Sequence, residues 1–180
     1  MWYALQVRTG KEEEVACACR RIVQEDVLEE CFIPKTERMK RYEGKWHKMQ
    51  VPMFPGYLFL VTEKIEDVHK KLRTIPAMTK ILGDGSEFIP IHKEEEEFLK
   101  SIGNEEHLVE MSLGYLENDE VVIQSGPMKG MGGKIKKINR HKRVAVVEVQ
   151  MFGRLMEVQM GVEVLGEVGK NSSCMKNKKE

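Results

Sequence analysis

The chain has 180 residues, enough for one ordinary domain or two small ones and too few for a large multidomain enzyme. Its 29 basic and 29 acidic residues cancel, so any nucleic-acid binding must come from a local patch rather than from overall charge. Apolar residues at 41% and charged ones at 32% describe a polar chain that can still bury a core, and its longest apolar run, residues 51–61, is far short of the about 20 residues of a membrane helix. The N-terminus lacks the parts of a secretory signal, which predicts a cytoplasmic protein with no membrane association. Cys17, Cys19, Cys31 and Cys174 form no C-x-x-C pair, and the histidines are scattered, so idle thiols are expected and no metal site.

In chain order, Trp2 to Val7 reads as a strand, and Thr9 to Glu12 has the T-x-x-E spacing of a capping box that would start a helix. Val15, Ala16, Cys19, Ile22 and Val23 give that helix one apolar face. A short strand at Cys31 to Ile33 stops at Pro34. Residues 35–49 then carry six Lys or Arg against two Glu around a glycine, the pattern of a protruding basic hairpin. Phe54 to Val61 is a strong strand. Ile65, Val68, Leu72 and Ile75 mark a helix ended by Pro76, followed by a strand at Met78 to Leu82 and a helix at 93–102 opened by acidic residues. This β-α-β-β-α-β order with one added helix predicts an α+β, split-βαβ sandwich over residues 1–103.

From 104 to 115 the periodicity lapses, predicting a linker between semi-independent units. Short strand-like runs follow at Glu120 to Gln124, Lys134 to Ile138, Val144 to Met151, Leu155 to Met160 and Val162 to Leu165, punctuated by turn residues. They predict a small SH3-like β-barrel over 116–168. Residues 169–180 hold almost no apolar surface and are expected to be disordered.

WYALQVRTGKEEEV at the start, Ile33-Pro34, FPGYLFLV at 54–61, GPMKGMGGKI at 126–135, and FGR at 152–154 followed by Glu157-Val158 stand in an order that resembles the NusG family of transcription elongation factors. The resemblance implies an N-terminal NusG-type (NGN) α/β domain that binds RNA polymerase and a C-terminal KOW barrel. Met128 and Leu155-Met156 depart from the residues usual in housekeeping members. The chain therefore looks like a specialised paralog, similar to the LoaP group of processive antiterminators, which would suppress pausing and termination after recruitment by a nascent RNA hairpin. The alternative is a housekeeping factor whose KOW domain docks a termination helicase or a ribosomal protein.

Phe54, Tyr57 and Phe59 can be read as core packing or as the wall of a groove. The resemblance implies the groove, a pocket for the polymerase clamp helices supported by Trp2 and Tyr3. Truncating Tyr57 and Phe59 to Ala is accordingly expected to leave the fold intact and abolish polymerase binding. Arg8, Lys11, Arg38, Lys40, Arg41 and Lys45 are either a solvated face or, as the resemblance implies, a set of phosphate contacts to upstream or non-template DNA, with base stacking from Tyr42 or Trp46. Lys129, Lys134, Lys136, Lys137, Arg140, His141, Lys142 and Arg143 contain seven Lys or Arg and no acid, predicting RNA contact. On a strand, Lys134 and Lys136 would share a face. The glycines at 126–133 do not match a phosphate-binding loop, and no catalytic pattern appears, so a monomeric binding factor without cofactor or enzymatic activity is expected.

Overall fold

A computed structural model describes residues 1–75, 78–118 and 120–167. Pro76, Cys174 and the tail 169–180 lie outside the described residues.

The N-terminal half is built on a sheet of β1 (Trp2–Val7), β2 (Glu30–Phe32), β5 (Tyr57–Val61) and β6 (Met78–Ile81), in the order β2-β5-β1-β6 and antiparallel throughout. That order is the one a split βαβ sandwich requires. Alternation along the strands gives each face its own core. Tyr3, Leu5, Leu58 and Leu60 face α1 (Glu12–Ile22) and α2 (Ile65–Leu72), where they pack with Val15, Cys19, Val68 and Leu72. Trp2, Ala4, Phe32 and Phe59 form the opposite face, together with Phe54 and with Leu99 and Ile102 of α3 (Lys93–Ile102).

The predicted capping box at Thr9 does not form. The helix starts after Lys11, and the buried Glu12 carboxylate instead accepts the Gly10 and Gly56 N–H groups at 2.7 Å each, tying the helix start to the turn before β5. This serves the same exposed helix-terminal donors from the other end of the motif. Cys17 is exposed, whereas Cys19 and Cys31 are buried in the helix-facing core; a hydrogen bond between the two thiols lowers the pKa of Cys19 and raises that of Cys31.

The basic hairpin is present as β3 (Lys35–Tyr42) and β4 (Lys45–Pro52), opposed residue for residue and joined by Glu43-Gly44 with φ of 50° and 75°, a two-residue turn of type I′ sign. The segment expected as a linker is tied into this hairpin. Leu108–Val109 forms β7, parallel to β3 and buried, and Asn104 Oδ1 accepts the N–H groups of Glu106 and Leu108. Two buried apolar residues are too short a run to register as a period, which is why the sequence reads as structureless there.

The C-terminal half is a five-stranded sheet of β8 (Ser112–Glu117), β9 (Glu120–Ser125), β10 (Ile135–Asn139), β11 (Val144–Met151) and β12 (Arg154–Glu167), in the order β10-β11-β12-β8-β9. β12 pairs antiparallel with β11 up to Gly161 and then parallel with β8. β8 begins inside the expected linker. The two halves share one apolar cluster, in which Trp2, Phe54 and Phe59 continue into Met128, Ala145, Val149, Met151 and Met160. Gly161 marks a close backbone approach between the halves: a Cβ there would lie 2.3 Å from the Glu37 carbonyl oxygen.

Candidate functional site

Phe54, Tyr57 and Phe59 converge on one spot. Phe54 and Phe59 meet edge to face at 6.4 Å, and Phe59 lies at 6.1 Å from Trp2 and stacks on Phe32 at 5.4 Å. Phe54 and Phe59 are fully buried, while Tyr57 is half-buried at the rim. Tyr3 is on the wrong side of the sheet to join them. Its neighbour Trp2 points to the aromatic face, and the period of two sends Tyr3 into the helix-facing core, where burial raises its phenol pKa, with Glu63 adding to the effect.

What fills the recess comes from the chain itself. β11 and β12 are joined by a two-residue turn, Phe152-Gly153, and the Phe152 ring stacks on Tyr57 at 4.5 Å and on Phe59 at 5.8 Å and meets Phe54 edge-on at 5.6 Å. Two polar contacts hold the plug, and a cation–ring contact joins the same two halves nearby. The Gly153 N–H donates to Glu95 Oε1 at 3.1 Å, Arg154 Nη2 donates to the Tyr57 hydroxyl at 3.3 Å, and Lys134 sits 5.2 Å from the centre of the Phe98 ring. Glu95 is buried and also accepts the His92 N–H at 3.2 Å, so one carboxylate caps α3 and clasps the turn. A cavity of about 300 Å³ remains beside this clasp, between Ile89 to His92 and Phe152.

The hairpin divides its cations between two faces. Arg38, Lys40 and Lys45 share a face with Tyr42, His47 and Met49, as the cross-strand register dictates, and the Tyr42 and His47 rings stack at 3.6 Å. Partial burial lowers the pKa of the Arg38 guanidinium, which remains a cation. Arg41 lies opposite Trp46 on the other face, which turns toward the C-terminal sheet: the Arg143 guanidinium covers Trp46 at 4.7 Å and pairs with Glu163 at 3.0 Å. Arg8 and Lys11 lie apart on the β1–α1 turn, both exposed, Lys11 paired with Glu14 at 2.5 Å.

The C-terminal basic set is likewise not uniform. Lys134 belongs to a 3-10 turn, Gly132–Lys134, rather than to the strand, so it does not share a strand face with Lys136. A bulge between Ile135 and Lys137 further breaks the alternation expected there. Lys136 pairs with Glu148 at 3.1 Å, and Arg143 is committed to Glu163 and Trp46. Lys129, Lys137, Arg140, His141 and Lys142 are exposed and make no ion pair among the described residues.

The family model for NusG, described as transcription termination factor NusG, matches residues 1–100. The chain belongs to the NusG family. The transcription termination/antitermination protein NusG of Staphylococcus epidermidis is 30% identical over 167 residues, covering 88% of this chain and 91% of its own. That of Thermus thermophilus is 24% identical over 172 residues, covering 88% and 94%. A solved structure of domain interaction in Thermotoga maritima NusG has a TM-score of 0.55 at 20% identity and covers 89% of this chain and 92% of that one, a likeness of fold. Sequence reasoning on the NusG motifs includes Phe152 but does not bring it to the recess. The signal that could have done so is a Phe-Gly pair as the whole turn between two alternating strands, which projects an apolar ring from a hairpin tip.

Proposed function

We propose that this NusG-family chain is a cytoplasmic transcription elongation factor and processive antiterminator. In this reading the Phe54, Tyr57 and Phe59 recess receives the clamp helices of RNA polymerase. The C-terminal sheet acts as a KOW-type SH3-like barrel that must first withdraw Phe152. The observation that carries this is the nesting of Phe152 in the aromatic ring set: the recess accepts a large apolar side chain, and the one it holds belongs to a turn. Binding to polymerase then competes with an internal contact, and the fraction of chain with an empty recess scales the apparent affinity. Suppression of pausing follows if the bound factor favours the elongating clamp state over the paused one.

Recruitment by a nascent RNA hairpin is assigned to Arg140, His141 and Lys142 on the β10–β11 turn, with Lys129 and Lys137 beside them. Upstream or non-template DNA is assigned to the Arg38, Lys40, Lys45 and Tyr42 face of the basic hairpin, where cations flank a stacked ring as single-strand binders require. A housekeeping role in elongation and termination, with the C-terminal half docking a helicase or a ribosomal protein, is the second reading, favoured by the termination/antitermination role that the Staphylococcus epidermidis and Thermus thermophilus relatives are named for. Met128 and Leu155-Met156 favour the specialised role.

Co-purification of the full chain with RNA polymerase tests the recess. Tyr57→Ala is expected to lose the complex while keeping the parent circular dichroism spectrum, and undiminished recovery of polymerase would overturn the assignment. For RNA, charge reversal at Arg140 and Lys142 is expected to reduce the slope of log affinity against log salt by about 0.7 to 0.9 for each phosphate that is no longer neutralised. An unchanged slope would remove the RNA from this turn.

A further inference from the structure

β9 and β10 are the two outer strands of the C-terminal sheet, and no backbone pairing joins them among the described residues. They line a common groove of about 700 Å³. Val121, Val122 and Ile123 of β9 and Ile135 and Ile138 of β10 are only half-buried along it, while Met128 beneath is fully buried. Branched side chains are left half wet on two outer strands that line one groove, each with one edge unpaired among the described residues, the setting in which a further strand can add.

The charge of the rim restricts what can lie there. Lys137 and Lys136 line the groove, the latter paired with Glu148, Lys129 stands unpaired among the described residues on the adjoining turn, and Glu120 is the one acid among the lining residues. The chain's own residues 169–180 carry four lysines against one glutamate and would add like charge. A second copy would bring the same lysines against each other. Nucleic acid would satisfy the lysines but not the edges, because phosphodiesters only accept hydrogen bonds, whereas a peptide strand alternates donor and acceptor in register with both walls.

We propose that the β9/β10 groove is a strand-addition site for an extended acidic peptide with alternating branched side chains, donated by a partner protein. The strand lengths, Glu120–Ser125 and Ile135–Asn139, set the footprint at about five or six residues. This site is separate from the aromatic recess and does not depend on polymerase binding there.

The test uses the full chain and a fluorescein-labelled peptide of about seven residues in which glutamate alternates with valine and isoleucine. Its Lys-for-Glu counterpart and an analogue N-methylated at alternate residues serve as controls. The acidic peptide is expected to raise anisotropy and to slow amide exchange in β9 and β10, while the lysine and N-methylated peptides bind about tenfold or more weakly. Lys136→Gln with Lys137→Gln, both exposed, is expected to weaken the acidic peptide severalfold and to leave the melting temperature in place. Equal binding of the N-methylated analogue would overturn strand addition. Exchange protection elsewhere than β9 and β10, displacement by a hairpin RNA without any peptide protection of these strands, or a doubled sedimentation mass in place of a one-to-one complex would each overturn the proposal.

Discussion

Phe152 occupies a backbone position that its side chain disfavours. Its φ is 57° and that of Gly153 is 70°, the two left-handed residues of a type I′ hairpin turn, where Asn-Gly is the favoured pair. A left-handed L-residue costs about 1 to 2 kcal/mol, which stacking against Tyr57, Phe54 and Phe59 offsets. Phe152→Asn is therefore a selective variant, relieving the turn while removing the plug. In contrast, Phe59 cannot be used as a surface probe. It is fully buried against Trp2, Phe32 and Phe54, so Phe59→Ala is expected to cost about 3 to 5 kcal/mol in a urea unfolding measurement. This corrects the sequence-based expectation that Tyr57 and Phe59 can be truncated together without harm; alternation alone cannot tell a groove wall from a core residue. In the turn after β6, Asp84 Oδ1 accepts the Glu87 and Ser86 N–H groups, which hold its carboxyl down to about 2 from 3.8. Its lowered folded value means that its contribution is complete above about 3.8 and lost as pH falls through about 2. A carboxyl-detected NMR titration is expected to find its midpoint near about 2, and a midpoint near the ordinary carboxylate value would remove these bonds from solution.

At the level of elements, α2 and α3 are legible because apolar positions recur at helical spacing over whole turns; α3 spans the expected 93–102, while α2 ends at Leu72 and leaves Ile75, expected within it, buried just beyond its end. β1 and β5 are legible as short runs of apolar and aromatic residues, β5 beginning at Tyr57 rather than at Phe54 because Pro55-Gly56 turns the chain there. The start of α1, β7 and the first part of β8, which begins within the expected linker, are not legible. The start of α1 is fixed by a contact 44 residues away, Glu12 with the Gly56 N–H, which no local capping pattern contains. β7 is two residues long and exists only because β3 offers an edge. The hairpin is legible as a hairpin, but which of its faces is free depends on Trp46 meeting Arg143 in the other half of the chain. Arg143→Ala is expected to weaken this face contact by about 0.5 to 2 kcal/mol and to alter Trp46 fluorescence in a Trp2→Phe background. Unaltered emission would mean that the guanidinium does not cover the ring.

Across the whole molecule, the recess clasp and the Arg143–Trp46 contact all join the C-terminal sheet to the N-terminal half. The halves are tied through aromatic rings, a buried carboxylate and the three cations Lys134, Arg143 and Arg154, so in this structure the two units touch rather than being joined by the connecting segment alone. Composition could not reveal it, because Phe54, Phe59 and Phe152 look equally apolar whether the partner is a second protein or the same chain. Cooperative contacts of this kind predict that Glu95→Ala, which removes both the α3 cap and the Gly153 acceptor, accelerates amide exchange in the β11–β12 turn as well as at the start of α3. Faster exchange at α3 alone would show that the clasp carries no weight.

The most direct test is the affinity of RNA polymerase for the parent chain and for Phe152→Asn, measured side by side. An emptied recess predicts tighter binding by the variant, and predicts that adding Tyr57→Ala to it abolishes the gain. Binding by Phe152→Asn that is equal to or weaker than that of the parent would contradict a recess shared between the polymerase and the chain's own turn.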